Sequence, residues 1–210
     1  MTSGSQSRPL ADASDEELAV ISAAVAERAA PLCRVLGTPE QVAWLTASLD
    51  LAWAAAAGEP VADECEEALG ELEPGADDLE EVDMGSPEYF VDQSTTLVGI
   101  ALAGSLRRST SDVATALGTL RSLAGVLDVE VMGKRPVVVR HGEPPPPPGP
   151  LLGRELAAQR DVAALVASGD GVVPPAVLAR ARAAAQSYAA EFTPVVERLA
   201  VLNDWDLDRR

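Results

Sequence analysis

Between Arg34 and Arg107 the chain has neither lysine nor arginine, and over its whole length it has one lysine, Lys134, and one histidine, His141. Cysteine is limited to Cys33 and Cys65, aromatics to 3% of the 210 residues, and no apolar run reaches the roughly 18 residues of a membrane-spanning helix. Each shortage excludes a class of function. Nucleic acid is bound by clustered cations that neutralise phosphates, so a net charge of −17 argues against it, and against an anionic membrane surface in the same way. A hydrolase triad needs its histidine on a rigid element, whereas His141 stands beside a proline run and no nucleophile elbow is present. There is no glycine-rich phosphate loop after a strand. The two cysteines lie outside any metal or redox spacing and read as reduced thiols on helices. Met1 to Ala13 is polar and lacks the charged and then apolar segments of a signal peptide, so a soluble cytoplasmic protein with no cofactor is expected.

What is present instead is acid. Val35 to Leu106 holds 16 of the chain's 33 Asp and Glu, 14 of them between Glu59 and Asp92, and the remainder of the chain sets 17 acids against 16 bases. Almost all the net charge therefore sits in one third of the sequence, where it bears on association and solubility rather than on fold. The chain is not a disordered acidic polymer, because 47% of it is hydrophobic and the apolar residues recur at helical spacing. Alanine and leucine dominate and β-branched runs are short, so the expected fold is all-α, a compact bundle of about seven helices.

Residues 1–13 form a tail. Ser14 and Glu17 make a capping box for a first helix from Asp15 to Val35, with Leu18, Ile21, Val25, Ala29 and Leu32 as its stripe, ended by Gly37. Thr38, Pro39 and Gln41 open a second, striped by Val42, Leu45, Leu49 and Trp53 and closed at Gly58. Trp44 falls off that stripe. A third helix over Val61 to Leu72 turns Leu69 and Leu72 inward and presents an acidic polar face. Ser86 and Pro87 start a fourth, running to about Ser105, and the Ser/Thr cluster ending in Ser111 and Asp112 caps a fifth with Val113, Leu117, Leu120, Ala124 and Leu127 as its core face. Val129 to Arg140 reads as a short extension of that helix or as an extended piece at Val137 to Val139.

Glu143 to Pro150, with five consecutive prolines, is expected to be a stiff strap and spacer. Leu151 to Ser168 and a segment opened by Pro175 resume helix, with Thr193 and Pro194 as a fresh start or a kink, and 203–210 is a charged tail in which Trp205 could anchor the terminus or a partner. The domain organisation expected is one helical domain over 14–202: a five-helix part to 142, the strap at 143–150, and C-terminal helices at 151–202 packed on the first part.

Within the acidic stretch, Glu73 to Gly85 is rich in helix breakers and reads as a loop. Asp77, Asp78, Glu80, Glu81 and Asp83 crowd it with carboxylates that have no helical duty, which makes them the candidate site. Three readings stay open. Asp77, Asp78 and Glu81 in a DDxxE-like run could hold a divalent cation, as similar runs do in terpene synthases, although such enzymes are longer and richer in aromatics. The five could meet a basic protein, steering it from a distance. Or they could simply face solvent.

The order of motifs resembles the YjaG-like family of uncharacterised bacterial proteins. The residues that carry it are Ala26-Glu27-Arg28 with Pro31, Leu49-Asp50-Leu51-Ala52-Trp53, Ala76-Asp77-Asp78-Leu79, and Arg154-Glu155-Leu156-Ala157-Ala158-Gln159. The chain departs from that family after Pro31, where its Asn-Tyr is missing, and beyond Ser187-Tyr188. The resemblance implies an all-helical fold and no established activity. Val25 to Gly58 also looks like the helical immunity proteins of bacterial polymorphic toxin systems. That likeness and the charge together lead to the expectation of a non-enzymatic protein that binds a basic protein partner, with a metal-dependent small-molecule enzyme or a housekeeping scaffold as alternatives. Oligomeric state is left open.

Overall fold

The computed structural model describes residues 10–72, 83–133, 146–167 and 171–205. Among them are seven α-helices: α1 (Asp15–Leu36), α2 (Pro39–Ala56), α3 (Ala62–Gly70), α4 (Pro87–Leu106), α5 (Thr110–Glu130), α6 (Pro150–Val166) and α7 (Pro175–Leu202). No strand occurs among the described residues. The chain is an all-α bundle, and a single cluster of buried side chains draws on all seven helices.

α1 is the axis of the bundle. Its capping box forms as expected, with Glu17 N–H donating to Ser14 Oγ and the Ser14 N–H to Glu17 Oε2. The expected one-sided stripe does not describe it, however. Every residue from Glu17 to Cys33 is buried, because α2, α4, α5, α6 and α7 all pack around it. The residue types explain how: Ala19, Ala23, Ala24, Ala26, Ala29 and Ala30 let neighbouring backbones approach closely, while Val20, Val25 and Leu32 fill the gaps. A helix surrounded on all sides takes its polar residues inside with it. Glu27 and Arg28, adjacent in the middle of α1, are therefore both buried and both need partners.

The remaining elements follow their local signals, with three corrections, to the extent of α3, the start of α6 and the role of Pro194. α3 is shorter than Val61 to Leu72, since Val61 supplies no side-chain cap. Leu69 and Leu72 nonetheless lie over Gly99 of α4, where a Cβ would come 3.1 Å from Leu72 Cδ1 and 3.8 Å from Leu69 Cδ2. The cap of α5 falls in the expected Ser/Thr cluster: it is Ser109, whose Oγ accepts from Asp112 N–H. α6 begins at Pro150, which the expected strap included, and only 146–149 of that strap lies among the described residues. Pro194 neither restarts nor breaks α7, which is continuous to Leu202. In the tail, Trp205 packs back on the bundle, one of the two roles open to it from the sequence. Trp205 is half-buried, its N–H donates to the Ala200 carbonyl, and its ring packs 5.9 Å from that of Phe90.

The start of α6 shows how the C-terminal helices are tied to the rest. Gly149 precedes it and offers no capping side chain, so the cap comes from α5: Asp128 Oδ1 accepts from Leu151 N–H at 2.9 Å and Oδ2 from Leu152 N–H at 3.0 Å. Asp128 thus satisfies two of the N–H groups that a helix start leaves unpaired. At the other end of α6, Gly171 in a left-handed turn (φ 78°) presents its carbonyl to Ser14 Oγ at 2.7 Å. The two ends of the α6 segment are therefore fixed against α5 and α1.

Candidate functional site

The sequence points first to the acidic stretch. Asp77, Asp78, Glu80 and Glu81 lie outside the described residues. Asp83 is described and exposed; Oδ1 accepts from Gly85 N–H at 3.0 Å and the backbone carbonyl from Ser86 N–H at 2.9 Å, so it shapes the turn into α4. The acidic face expected on α3 is present. Cys65 is the one buried residue of that helix, while Asp63, Glu64, Glu66 and Glu67 are exposed, as are Glu59 before it and Glu71 after it. On α4, burial and then the neighbouring charge of Glu88 push Asp92 above its ordinary value. Among the described residues no group of three or more His, Cys, Asp or Glu is placed to hold a metal ion. His141 also lies outside them.

A second cluster, which the reading of the sequence did not single out as a site, is built from α1, α6 and α7. Arg28 and Glu155 are 2% and 0% exposed and form a two-pronged ion pair, Nε to Oε2 at 3.0 Å and Nη2 to Oε1 at 2.8 Å. Gln159, one helical turn beyond Glu155, adds a third donor to the carboxylate, 2.9 Å from Oε1, and also donates to the Leu117 carbonyl of α5 at 3.0 Å. Tyr188 stands beside the pair, and burial first, then the charge of Glu155, push its phenol well above the ordinary range. Both Arg28 and Arg154 lie against the Tyr188 ring, their guanidinium carbons 5.8 Å and 4.8 Å from its centre. A carboxylate this deep is tolerated because each of its oxygens is held by donors, one of them a planar fork that matches it.

Beside this network lies a cavity of about 600 Å³ between α6 and α7, with Ala24 and Arg28 of α1 at its base. Alanine is the commonest residue of its lining, with Val162 and Leu165, and it carries Arg154, Arg180, Asp161 and Glu191. Glu27 belongs to a neighbouring arrangement: its carboxylate accepts from Trp53 Nε1 at 3.1 Å and from Arg34 Nη2 at 3.2 Å. Arg182 of α7 donates to Asp50 and lies 5.8 Å from the Trp53 ring. Trp44, half-buried against the core, uses its indole N–H to hold the Ala68 carbonyl of α3 at 3.2 Å.

No family model, curated protein or solved structure matches this chain. None of its helices among the described residues is long and apolar enough to cross a membrane.

Proposed function

We propose that the chain acts by binding a basic protein, without doing chemistry on it, and that the carboxylates of α3 and the segment from Asp77 to Asp83 form the contact surface. The observation that carries this reading is α3 itself. It turns a single residue, Cys65, fully inward and sets Asp63, Glu64, Glu66 and Glu67 in solvent, within a stretch of sequence that contains no cation. Acids at i, i+3 and i, i+4, such as Asp63 with Glu66 and Glu67, repel by a few tenths of a kcal/mol each in the free helix. A cationic partner relieves that repulsion on docking, and the field of the uncompensated patch steers it in. A protein with this surface also mimics the charge of nucleic acid, so it competes for a groove that binds phosphates. The likeness of Val25 to Gly58 to helical immunity proteins supports an immunity-type factor that covers a basic toxin.

The test is capture from the native host with the full chain and with a variant carrying Asp63→Asn, Glu64→Gln, Glu66→Gln and Glu67→Gln. A basic protein retained by the first and lost by the second, with an association rate that falls by an order of magnitude or more between low and high salt, is the expected result. Equal retention by both, or a rate flat in salt, overturns the proposal.

A further inference from the structure

The groove between α6 and α7 carries charges that balance. Arg28 in its floor is taken up by Glu155, and around the opening stand Arg154 and Arg180 with Asp161 and Glu191, two of each sign. Such a surface has no net charge to offer an ion; it fits another surface that also carries both signs. The α7 wall shows which. Arg180, Ala184, Ser187 and Glu191 all line the groove and all are exposed. Steps of four, three and four residues place them in one row along the helix. Reversed, that row is its own complement. A two-fold axis passing between Ala185 and Gln186 sets Arg180 against Glu191 of a second copy and Ala184 against its Ser187, and symmetry repeats both contacts. Both charges have room for this. Glu191 gives one oxygen to Arg154 and its carboxylate is 63% exposed, while Arg180 has no ion pair among the described residues.

We infer that this groove receives α7 of a second copy of the chain, in an antiparallel two-fold dimer. Arg180 of each copy then stands on Glu191 of the other, which already holds Arg154, so that cation, carboxylate and cation alternate across the contact. These charges fix the register, because a slip of one turn separates the opposite signs. Ala184 and Ser187 at the axis are small enough for the two α7 backbones to approach closely, and Ala157 and Ala158 keep the α6 wall low. The net charge of −17 does not oppose the contact strongly. The acids of α3 belong to a helix packed on α2 and α4, whereas α7 packs on α1 and α6, and exposed charges more than about 8 Å apart are screened at physiological salt. Contact along α7 from Val177 to Pro194 runs about 25 Å, and two helices are about 20 Å wide, so each copy buries about 500 Å². That is the low end for a specific interface, which makes the dimer a reversible one in the micromolar range. The surface shares no residue with the acidic face and stands or falls independently of it.

The experiment is sedimentation equilibrium of the full chain at one physiological ionic strength. Expected is a reversible equilibrium between monomer and dimer at micromolar concentrations. Arg180→Glu and Glu191→Arg, both at exposed positions, should each weaken it about tenfold or more, because each homodimer then holds two like-charge contacts. An equimolar mixture of these two variants should dimerise nearly as well as the wild type, since both contacts between the unlike copies are again of opposite sign. Ala184→Trp should abolish the dimer by wedging the helices apart at the axis. Arg160→Glu, the same charge change at an exposed position of α6 outside the groove, should leave it unaltered. A wild-type chain that stays monomeric throughout overturns the inference. So does a dimer that Arg180→Glu and Ala184→Trp leave intact, which would place the contact on another surface, or a mixture of the two charge variants that does not regain it, which would refute the antiparallel register.

Discussion

Arg28 and Glu155, separated by 127 positions, meet in a two-pronged ion pair at the centre of the bundle, where neither reaches solvent. The pair joins the axial helix to the C-terminal helices and anchors Gln159 and Tyr188 around it. Its energetic role is asymmetric. Forming it returns little more than the cost of drying two charges, whereas removing one partner strands the other in a dry site.

From that asymmetry, Glu155→Ala should cost about 3–5 kcal/mol, since it leaves the Arg28 guanidinium buried without a counter-charge. Arg28→Met combined with Glu155→Leu should be closer to the wild type than either single change, because no charge then remains to be solvated. Urea unfolding of the wild type, Arg28→Met, Glu155→Leu and the double variant measures this. A double variant whose loss equals the sum of the single losses would show that the pair is not energetically coupled.

Asp128 and Gly149 make a second long-range dependence, and it predicts a change of sign. A Cβ at Gly149 would lie 2.1 Å from Asp128 Oδ2, a distance that forces the cap apart. Gly149→Ser, which would ordinarily improve a helix start, should therefore destabilise the protein. Asp128→Ala should also cost about 1–2 kcal/mol, by leaving the Leu151 and Leu152 N–H groups without their acceptor. In the Asp128→Ala background the three nearest atoms are gone, and Gly149→Ser should now restore stability by capping α6 locally. Thermal unfolding of the two single variants and the double tests it; a serine that destabilises in both backgrounds refutes the account.

The helices and most of their caps were legible because those signals are local: Ser14 with Glu17, Thr38 with Gln41, and Ser86 with Pro87 each act within one turn. What was not legible is non-local. Nothing near Gly149 says that its cap is on α5, and nothing in α1 alone says that it is enclosed on all sides rather than on one. A signal did exist for the buried network. Glu27 and Arg28 stand alone as charges in an otherwise apolar stretch from Leu18 to Cys33, and such a pair inside a core needs partners from elsewhere. Those partners come from far along the chain: Trp53 bonds Glu27, Glu155 pairs with Arg28, and Gln159 bonds Glu155 in turn. The opposite holds for the carboxylate loop, which was conspicuous in sequence because charge is visible without structure, yet only Asp83 of its five candidates falls among the described residues.

Gly99 offers a direct handle on the acidic helix. Only Leu72 and Leu69 side-chain ends face the missing Cβ, at 3.1 Å and 3.8 Å, and a leucine end can swing by a few tenths of an ångström. Gly99→Ala should thus be neutral or slightly stabilising, since alanine in a helix interior gains up to about 1 kcal/mol over glycine. Gly99→Leu has no such escape and should lift α3 from α4. Its signature is chemical: Cys65, the one buried residue of α3, becomes reactive to a thiol reagent while Cys33 in α1 stays protected. Equal protection of both thiols in Gly99→Leu would mean that α3 does not depend on this contact.

Cys33 supplies a test that reads the core of α1 through pH. Burial pushes its thiol from the ordinary 9.0 up to about 11, with Arg34 beside it opposing part of the rise. The folded state therefore favours the neutral thiol, and an acid whose value is raised on folding stabilises the fold fully below its unfolded value. That contribution should be intact below about pH 9 and lost as pH rises through about 11. Tyr188 is raised by burial as well, so its ionisation on unfolding adds to the alkaline loss of stability, and the wild type must be compared with Cys33→Ala, in which the tyrosine is unchanged. The gap between their urea midpoints should be constant from pH 6 to 9 and then move in favour of the alanine variant. A gap that stays constant up to pH 11 would show that Cys33 is not held as a thiol by its burial.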